Sequence, residues 1–142
     1  MVTRNDFPIA IQKNKPIATP PADFPGSQPE YITYVTLLRL GKTPDVDFIY
    51  QSRQMGGRIE KGGLIVDFTF FDPPDLAINV QGVYYHYEQG SVNIAKDLIS
   101  REQLASQGIS LIFIDDIDLE DNPEYFVREA LNYRDHSRIG AG

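Results

Sequence analysis

Cysteine and tryptophan are absent from this chain of 142 residues, and histidine occurs only twice. Without cysteine the protein has neither a disulfide nor a Cys-ligated zinc site, which fits a reducing compartment. Two histidines are too few for a multi-histidine metal centre. No apolar run exceeds a few residues, so the sequence shows no secretory leader and no membrane span. We expect a soluble, cytoplasmic protein with no zinc and no membrane partner.

Common catalytic motifs are missing as well. The sequence contains no glycine-rich phosphate loop that ends in Lys-Ser or Lys-Thr, and no G-x-G-x-x-G after a strand. It also contains neither G-x-S-x-G nor H-E-x-x-H. We therefore expect neither nucleotide hydrolysis nor serine hydrolase chemistry.

Basic residues are outnumbered, and the formal net charge of −7 argues at first against a nucleic-acid partner. Six of the 20 acids, however, lie between residues 115 and 124, where no Lys or Arg occurs. The other 14 acids face 13 bases, so the rest of the chain is nearly neutral and can present a basic face. The acidic run lacks the alternating ligands and central glycine of a calcium loop, and we expect a solvated loop there.

Proline is concentrated near the N-terminus. Residues 1–28 contain five of the ten prolines and show neither helical nor strand periodicity, so they predict an extended arm. An ordered arm needs a surface to lie on, which is its own domain, a second copy of the chain or another assembly partner. The domain itself is predicted over residues 29–134, and residues 135–142 are predicted to be a C-terminal tail.

Apolar periodicity predicts an α/β domain whose elements follow the order α-β-β-β-α-β-α. The first helix begins at the capping box formed by Ser27 and Glu30, and Gly41 ends it. The predicted strands cover residues 47–51, 64–70, 76–80 and 109–114. The second helix has Ser91 or Asn93 as its cap and ends at Gly108, and the last helix covers residues 123–133. Strand, helix and strand near the end predict a parallel pair, whereas the earlier strands are predicted to be antiparallel.

Four titratable side chains are candidates for chemistry. Asp67 interrupts an apolar run, so it faces solvent on a half-exposed strand, has a buried partner or binds a metal. His86 follows a strand among tyrosines and is either a packing residue or a proton carrier near neutral pH. Asp97 can orient His86 or form an i,i+4 ion pair with Arg101. Glu30 already has a structural task in the capping box.

The order of these residues resembles the Glu-Asp-x-His-Asp arrangement of very-short-patch repair endonucleases and their phage-borne homing endonuclease relatives. These enzymes are a branch of the PD-(D/E)XK nuclease superfamily. The resemblance covers about residues 29–131, and its most specific stretch is residues 77–86: a strand, a glycine, two aromatic residues and a histidine. It implies a restriction-endonuclease-like core, in which helices flank a mixed β-sheet.

The resemblance also implies a metal site. Asp67 and the backbone carbonyl of Val80 would hold Mg²⁺ or Mn²⁺, and Glu30 would reach the metal through water. Gln81 fills the variable position of the motif. An oxygen-rich site of this kind suits phosphodiester hydrolysis, because the reaction needs charge stabilisation more than it needs a protein nucleophile.

The remaining roles follow from the same resemblance. His86 would act as general acid or base on the attacking water, and Asp97 would orient it. The implied activity is a metal-dependent DNA endonuclease encoded by a phage or a mobile element. Candidate DNA contacts are Arg58, Lys61, Tyr84, Tyr85 and Lys96.

Two alternative interpretations stay open. Asn79 and Gln81 stand where the wider superfamily has the acid and the lysine of its Glu-x-Lys pair. Together with the acidic charge and the proline-rich arm, this departure favours an inactive nuclease-fold subunit, for example of a phage particle. An acidic protein that mimics DNA is a weaker interpretation, because the negative charge is confined to one segment.

Overall fold

The computed structural model describes residues 17, 19–50, 60–61, 64–82 and 91–138. In chain order its elements are helix α1 (Gln28–Arg39), strands β1 (Phe48–Tyr50), β2 (Glu60–Lys61), β3 (Leu64–Ile65), β4 (Phe68–Phe70) and β5 (Leu76–Gln81), helix α2 (Ser91–Ala105), strand β6 (Ser110–Asp115), and helices α3 (Asp116–Asp121) and α4 (Pro123–Leu131).

Helix α1 begins and ends as the sequence predicts. The Ser27 hydroxyl accepts a hydrogen bond from the backbone N–H of Glu30 at 3.3 Å, and Pro29 lies in the first turn. After the helix, Gly41 adopts a φ of +90°, a left-handed conformation that glycine reaches without strain. The buried face of the helix, which includes Ile32 and Leu37, packs toward the sheet.

Four strands form one mixed sheet in the order β1-β4-β5-β6, and β2 pairs antiparallel with β3 in a separate sheet. Both β1 and β5 pair antiparallel with β4, whereas β6 runs parallel to β5. The predicted mixed α/β sheet is therefore confirmed. At one end of this sheet lie the carboxyl ends of β1, β5 and β6 and the amino end of β4, which Asp67 precedes. We call it the Asp67 end.

Side chains alternate between the two faces of this sheet, and helices cover both faces. One face packs against α1, α3 and α4 in a cluster that includes Phe48, Phe68 and Ile78. The other face packs against α2, where Ala77 lies in one cluster with Leu104. A functional side chain is thus accessible mainly at the ends of the strands rather than on a face.

Two local predictions are wrong. The acidic segment predicted as a loop contains helix α3, because Leu119 is fully buried in the main core and fixes a turn of helix there. Asn122 then caps α4 by accepting a hydrogen bond from the Tyr125 N–H at 3.2 Å. The strand predicted over residues 64–70 is interrupted at Val66 and Asp67, between β3 and β4.

The described part of the proline-rich segment packs on the domain. Ile17 and Phe24 are half-buried against the main core, and the Phe24 ring stacks on Tyr50 with 5.4 Å between centroids. Residues 1–16 and 18 of the predicted arm lie outside the described residues. Among the helices of the described chain, none combines the length and apolar character needed to cross a membrane.

Candidate functional site

Asp67 lies at the interruption between β3 and β4, and its side chain is buried, with 4% of its surface exposed. Its backbone N–H donates to Oδ1 of Asn79 at 2.7 Å, and the Val80 N–H donates to its Oδ2 at 2.9 Å. Two side chains therefore replace the backbone ladder between β4 and β5. The outward-facing position that the sequence left open for Asp67 is excluded.

Gln81 is the last residue of β5 and is 2% exposed. Its Oε1 is shielded from solvent and has no hydrogen-bond partner among the described residues. A buried carbonyl oxygen without a donor costs free energy, so natural proteins rarely leave one unless water or a ligand supplies the donor. Gln81 thus adds a polar acceptor beside Asp67 at the same end of the sheet.

Asp115 is a site residue that the sequence did not single out. It is the last residue of β6, pairs in register with Gln81 and is fully buried. Its Oδ2 accepts hydrogen bonds from Nη1 of Arg138 at 2.8 Å and from the Arg138 N–H at 3.1 Å. Its position at the end of an apolar strand was the available signal, and the surrounding run of acids concealed it.

The Asp115 carboxylate affects the pKa of the neighbouring Asp118. Burial raises the pKa of Asp118 above its ordinary value, and the nearby Asp115 carboxylate raises it further, while Arg138 acts in the opposite direction. Beside them, Asp135 accepts the Phe113 N–H at 2.8 Å and so holds residues 135–138 along the outer edge of β6. This edge of the site is therefore negatively charged and well ordered by hydrogen bonds.

Helix α2 brings Asp97 toward the same region. Leu104 packs in the core under β6, and its carbonyl accepts the Ile109 N–H at 2.9 Å, near the start of that strand. Asp97 lies seven residues earlier, about 10 Å back along the helix axis toward the Asp67 end. It shares the sheet-facing side of the helix with Ile94 and Leu104, and its Oδ2 is shielded from solvent.

Glu30 reaches the Asp67 end from the other face of the sheet. Its Oε1 accepts a hydrogen bond from the Tyr50 hydroxyl, and Tyr50 is fully buried at the end of β1. Tyr50 pairs with Phe68, the residue that follows Asp67. The carboxylate is thus held by a strand residue, and the capping hydrogen bond with Ser27 uses the backbone N–H of Glu30.

The remaining candidates divide into described and undescribed residues. Lys96 is exposed on α2, and Lys61 is placed by its backbone in β2. His86, the general acid or base of the hypothesis, lies outside the described residues, as do Arg58, Tyr84 and Tyr85.

The donor set suits a hard cation with few protein ligands. Within the described chain, no three His, Cys, Asp or Glu side chains come together as a metal cluster. Asp67 supplies a buried carboxylate, which accepts a hydrogen bond from the Val80 N–H. Gln81, which follows Val80 in β5, adds a buried amide oxygen. Mg²⁺ usually binds one or two carboxylates and takes its other ligands from water and substrate phosphate. The oxygen donors of the described residues fit such an open site.

Comparison with known proteins agrees with this architecture. No protein-family model matches the chain, and none of the curated proteins is significantly similar to it. Among solved structures, it resembles the catalytic domain of the homing endonuclease I-Bth0305I, with a TM-score of 0.53 and 23% sequence identity. The similarity covers 76% of this chain and 98% of that domain. The chain therefore has a restriction-endonuclease-like nuclease fold, shared with a homing endonuclease catalytic domain.

Proposed function

We propose that this protein is a metal-dependent DNA endonuclease that uses the Glu-Asp-x-His-Asp set of the very-short-patch repair and homing endonuclease branch. The observation that carries the proposal is the buried Asp67 carboxylate, which the Val80 N–H holds at the end of the sheet. Burying a carboxylate costs free energy unless hydrogen bonds, an opposite charge or a metal compensate for the lost hydration. The nuclease fold of the chain supports this assignment.

The arrangement of the elements supports a common site. In α/β sheets, ligands bind beyond the carboxyl ends of the strands, which is where β5 and β6 end beside Asp67. Gln81 and Asp115 end those two strands, and Asp97 approaches from α2. Polar groups from three elements therefore surround one end of an otherwise apolar sheet.

In this proposal Asp67 and the carbonyl of Val80 would hold Mg²⁺, which would supply charge stabilisation at the scissile phosphate. His86 carries the proton of the attacking water, and Asp97 fixes the orientation of the imidazole. Glu30 would reach the metal through water. Each role belongs to a polar group that this chain places on a strand end or on a helix beside it, except His86, whose role rests on the resemblance alone.

The charge distribution favours one direction of approach for DNA. Helices α3 and α4 carry most of the acidic run, so the face that they cover repels phosphate. Lys96 is exposed on α2, on the opposite face. We propose that DNA lies across the Asp67 end and the α2 side, where Lys96 is exposed to it. Arg58, Lys61, Tyr84 and Tyr85 stay candidate DNA contacts on the sequence alone. A phage or mobile-element origin and a cytoplasmic site of action belong to the same proposal.

The decisive experiment is the nicking of supercoiled plasmid by the purified protein in Mg²⁺ or Mn²⁺. Asp67→Asn keeps an oxygen for the Val80 N–H but removes the charge, and it should lower the rate by at least about 100-fold. Asp121→Asn removes an exposed acid of α3 and serves as the matched control. Chelation of the metal should abolish nicking. Equal rates for Asp67→Asn and the wild-type protein would refute the assignment.

A second candidate function is an inactive nuclease-fold subunit. The observation that favours it is the Asn79 side chain, which stands in the place of the superfamily acid and is committed to the Asp67 N–H at 2.7 Å. In that case the protein would show no nicking with any metal or DNA form. The full-length chain would also sediment as an oligomer or with an assembly partner, for which the proline-rich segment would provide the contact.

A further inference from the structure

Tyr50 joins a helix to the sheet through a polar contact. Its hydroxyl donates a hydrogen bond to Oε1 of Glu30, in the first turn of α1. The Tyr50 ring is fully buried and stacks between Phe24 and Phe68, with centroid distances of 5.4 Å and 5.0 Å. Because the ring is held on both sides, the hydroxyl has a fixed position and so has the carboxylate oxygen that it binds.

The chain before α1 is built around this contact. A Cβ atom at Gly26 would overlap both the Tyr50 hydroxyl and the Glu30 carboxylate. The backbone therefore passes directly over the pair, and only glycine leaves room for the hydrogen bond beneath it. The pair has consequently lost access to water from that side.

Stabilising the packing of α1 on the sheet would explain the contact between Tyr50 and Glu30 only in part. Besides Tyr50, the buried side chains Ile32, Leu37 and Phe48 of α1 and β1 already pack in the main core. A charged acceptor beneath them adds a desolvation cost that an apolar contact would avoid. Tyr50 also lies beside Phe68, next to Asp67. The hydrogen bond between Tyr50 and Glu30 thus lies at the Asp67 end of the sheet, where the proposed chemistry takes place.

We propose that Tyr50 is a positioning residue that fixes the Glu30 carboxylate for the proposed nuclease site, and that Gly26 is required for this contact. The inference rests on the proposed function. A glutamate in the first turn of a helix has three rotatable side-chain bonds, and a hydrogen bond from a rigid donor selects one arrangement before substrate and metal arrive. The second oxygen, Oε2, is then directed by the same constraint.

The test uses Tyr50→Phe, which keeps the stacked ring and removes only the hydroxyl. Tyr133→Phe is the matched control, because the Tyr133 hydroxyl donates to the Pro74 carbonyl at 2.6 Å on another part of the surface. The rate of plasmid nicking and the affinity for Mn²⁺ by calorimetry are measured for both. We expect Tyr50→Phe to lower kcat by about 10- to 100-fold, the range of a hydrogen bond to a charged group, with KM for DNA unchanged. Mn²⁺ binding should weaken several-fold, and Tyr133→Phe should change neither quantity.

A double-mutant cycle separates positioning from general packing. If Tyr50 acts through Glu30, Tyr50→Phe has no further effect in a Glu30→Gln background, on either kcat or Mn²⁺ affinity. Gly26→Ala, which displaces the pair without changing either member, should reproduce the loss and provides a second variant if Tyr50→Phe lowers the melting temperature.

The outcomes distinguish this inference from the function on which it rests. If the wild-type protein nicks DNA and Asp67→Asn does not, but Tyr50→Phe behaves as Tyr133→Phe does, the positioning role is overturned and the nuclease assignment stands. Additive losses in the double variant also overturn the role. If the wild-type protein neither nicks DNA nor binds Mn²⁺, both proposals fail together.

Discussion

The N–H of Val80 donates to Oδ2 of Asp67 at 2.9 Å, at a point where a strand ladder would ordinarily place a carbonyl oxygen. The neighbouring Asn79 completes the exchange by accepting the Asp67 N–H. The backbone hydrogen bond thus fixes the position of this carboxylate. This relationship also gives Asn79, which departs from the superfamily pattern, a structural task of its own.

Asn79→Ala should destabilise the protein by about 1–2 kcal/mol, because it removes an acceptor from the buried N–H of Asp67. The free energy of unfolding is measured by denaturant titration. The control is Asn132→Ala, since Asn132 is exposed and its amide donates to the Arg128 carbonyl at the end of α4. A loss no larger than that of the control would mean that the hydrogen bond from the Asp67 N–H to Asn79 contributes little to the stability of the protein.

Arg138→Ala should cost about 2 kcal/mol of unfolding free energy, less than a fully buried pair because half of the Arg138 side chain is exposed. The substitution leaves the fully buried Asp115 without the guanidinium that lies 2.8 Å from its Oδ2. Arg128→Ala is the control, because it breaks a pair with Glu124 on the exposed surface of α4 and should cost about 0.5 kcal/mol. Equal losses for the two variants would contradict a special role of Asp115.

The sequence predicted those parts of the fold that depend on local signals. The N-cap at Ser27, the turn at Gly41 and the parallel β5-α2-β6 unit are confirmed, because caps, glycine and periodicity act over a few residues. The Glu30 side chain, which the predicted capping box would use, accepts a hydrogen bond from Tyr50. Helix α3 was missed because its single buried anchor, Leu119, is hidden among acids. Composition alone does not show that Leu119 is buried, so the acidic segment was predicted to be a loop.

The candidate site was predictable in part, for a different reason. Asp67 stands out because a carboxylate in an apolar run has few explanations, and the structure buries it. The contact of Tyr50 with Glu30 joins residues twenty positions apart, and the ladder that brings Asp115 beside Gln81 joins residues still further apart. Such contacts depend on strand order and register, which a single sequence does not specify.

Stability should fall as the pH rises through the range in which Asp118 titrates in the folded protein. Burial and then Asp115 raise the pKa of Asp118 above its unfolded value, so the folded state binds the proton more tightly than the unfolded state. Above the folded pKa the charged form therefore costs stability, and this cost disappears below the ordinary value of 3.8. Asp118→Asn should raise the melting temperature at pH 7 and leave it unchanged at pH 3.

The control for this pH dependence is Asp121→Asn, which removes an exposed acid from the same short helix. Besides burial, four charged groups act on the pKa of Asp118: Asp115 and Asp121 raise it, and Arg138 and His136 lower it. A melting temperature of Asp118→Asn that tracks that of Asp121→Asn from pH 3 to pH 7 would show that burial of Asp118 is not the cause.

Gln81→Met should separate stability from activity. Oε1 of Gln81 is buried with no partner among the described residues, so replacing the amide by an apolar side chain of similar length removes a desolvation cost. We expect an increase of about 1 kcal/mol in unfolding free energy together with slower plasmid nicking, because the site loses an oxygen beside Asp67. Gln103→Met, at an exposed position of α2, is the matched control and should change neither quantity. A loss of stability in Gln81→Met would contradict this prediction, because it would mean that the amide stabilises the folded protein.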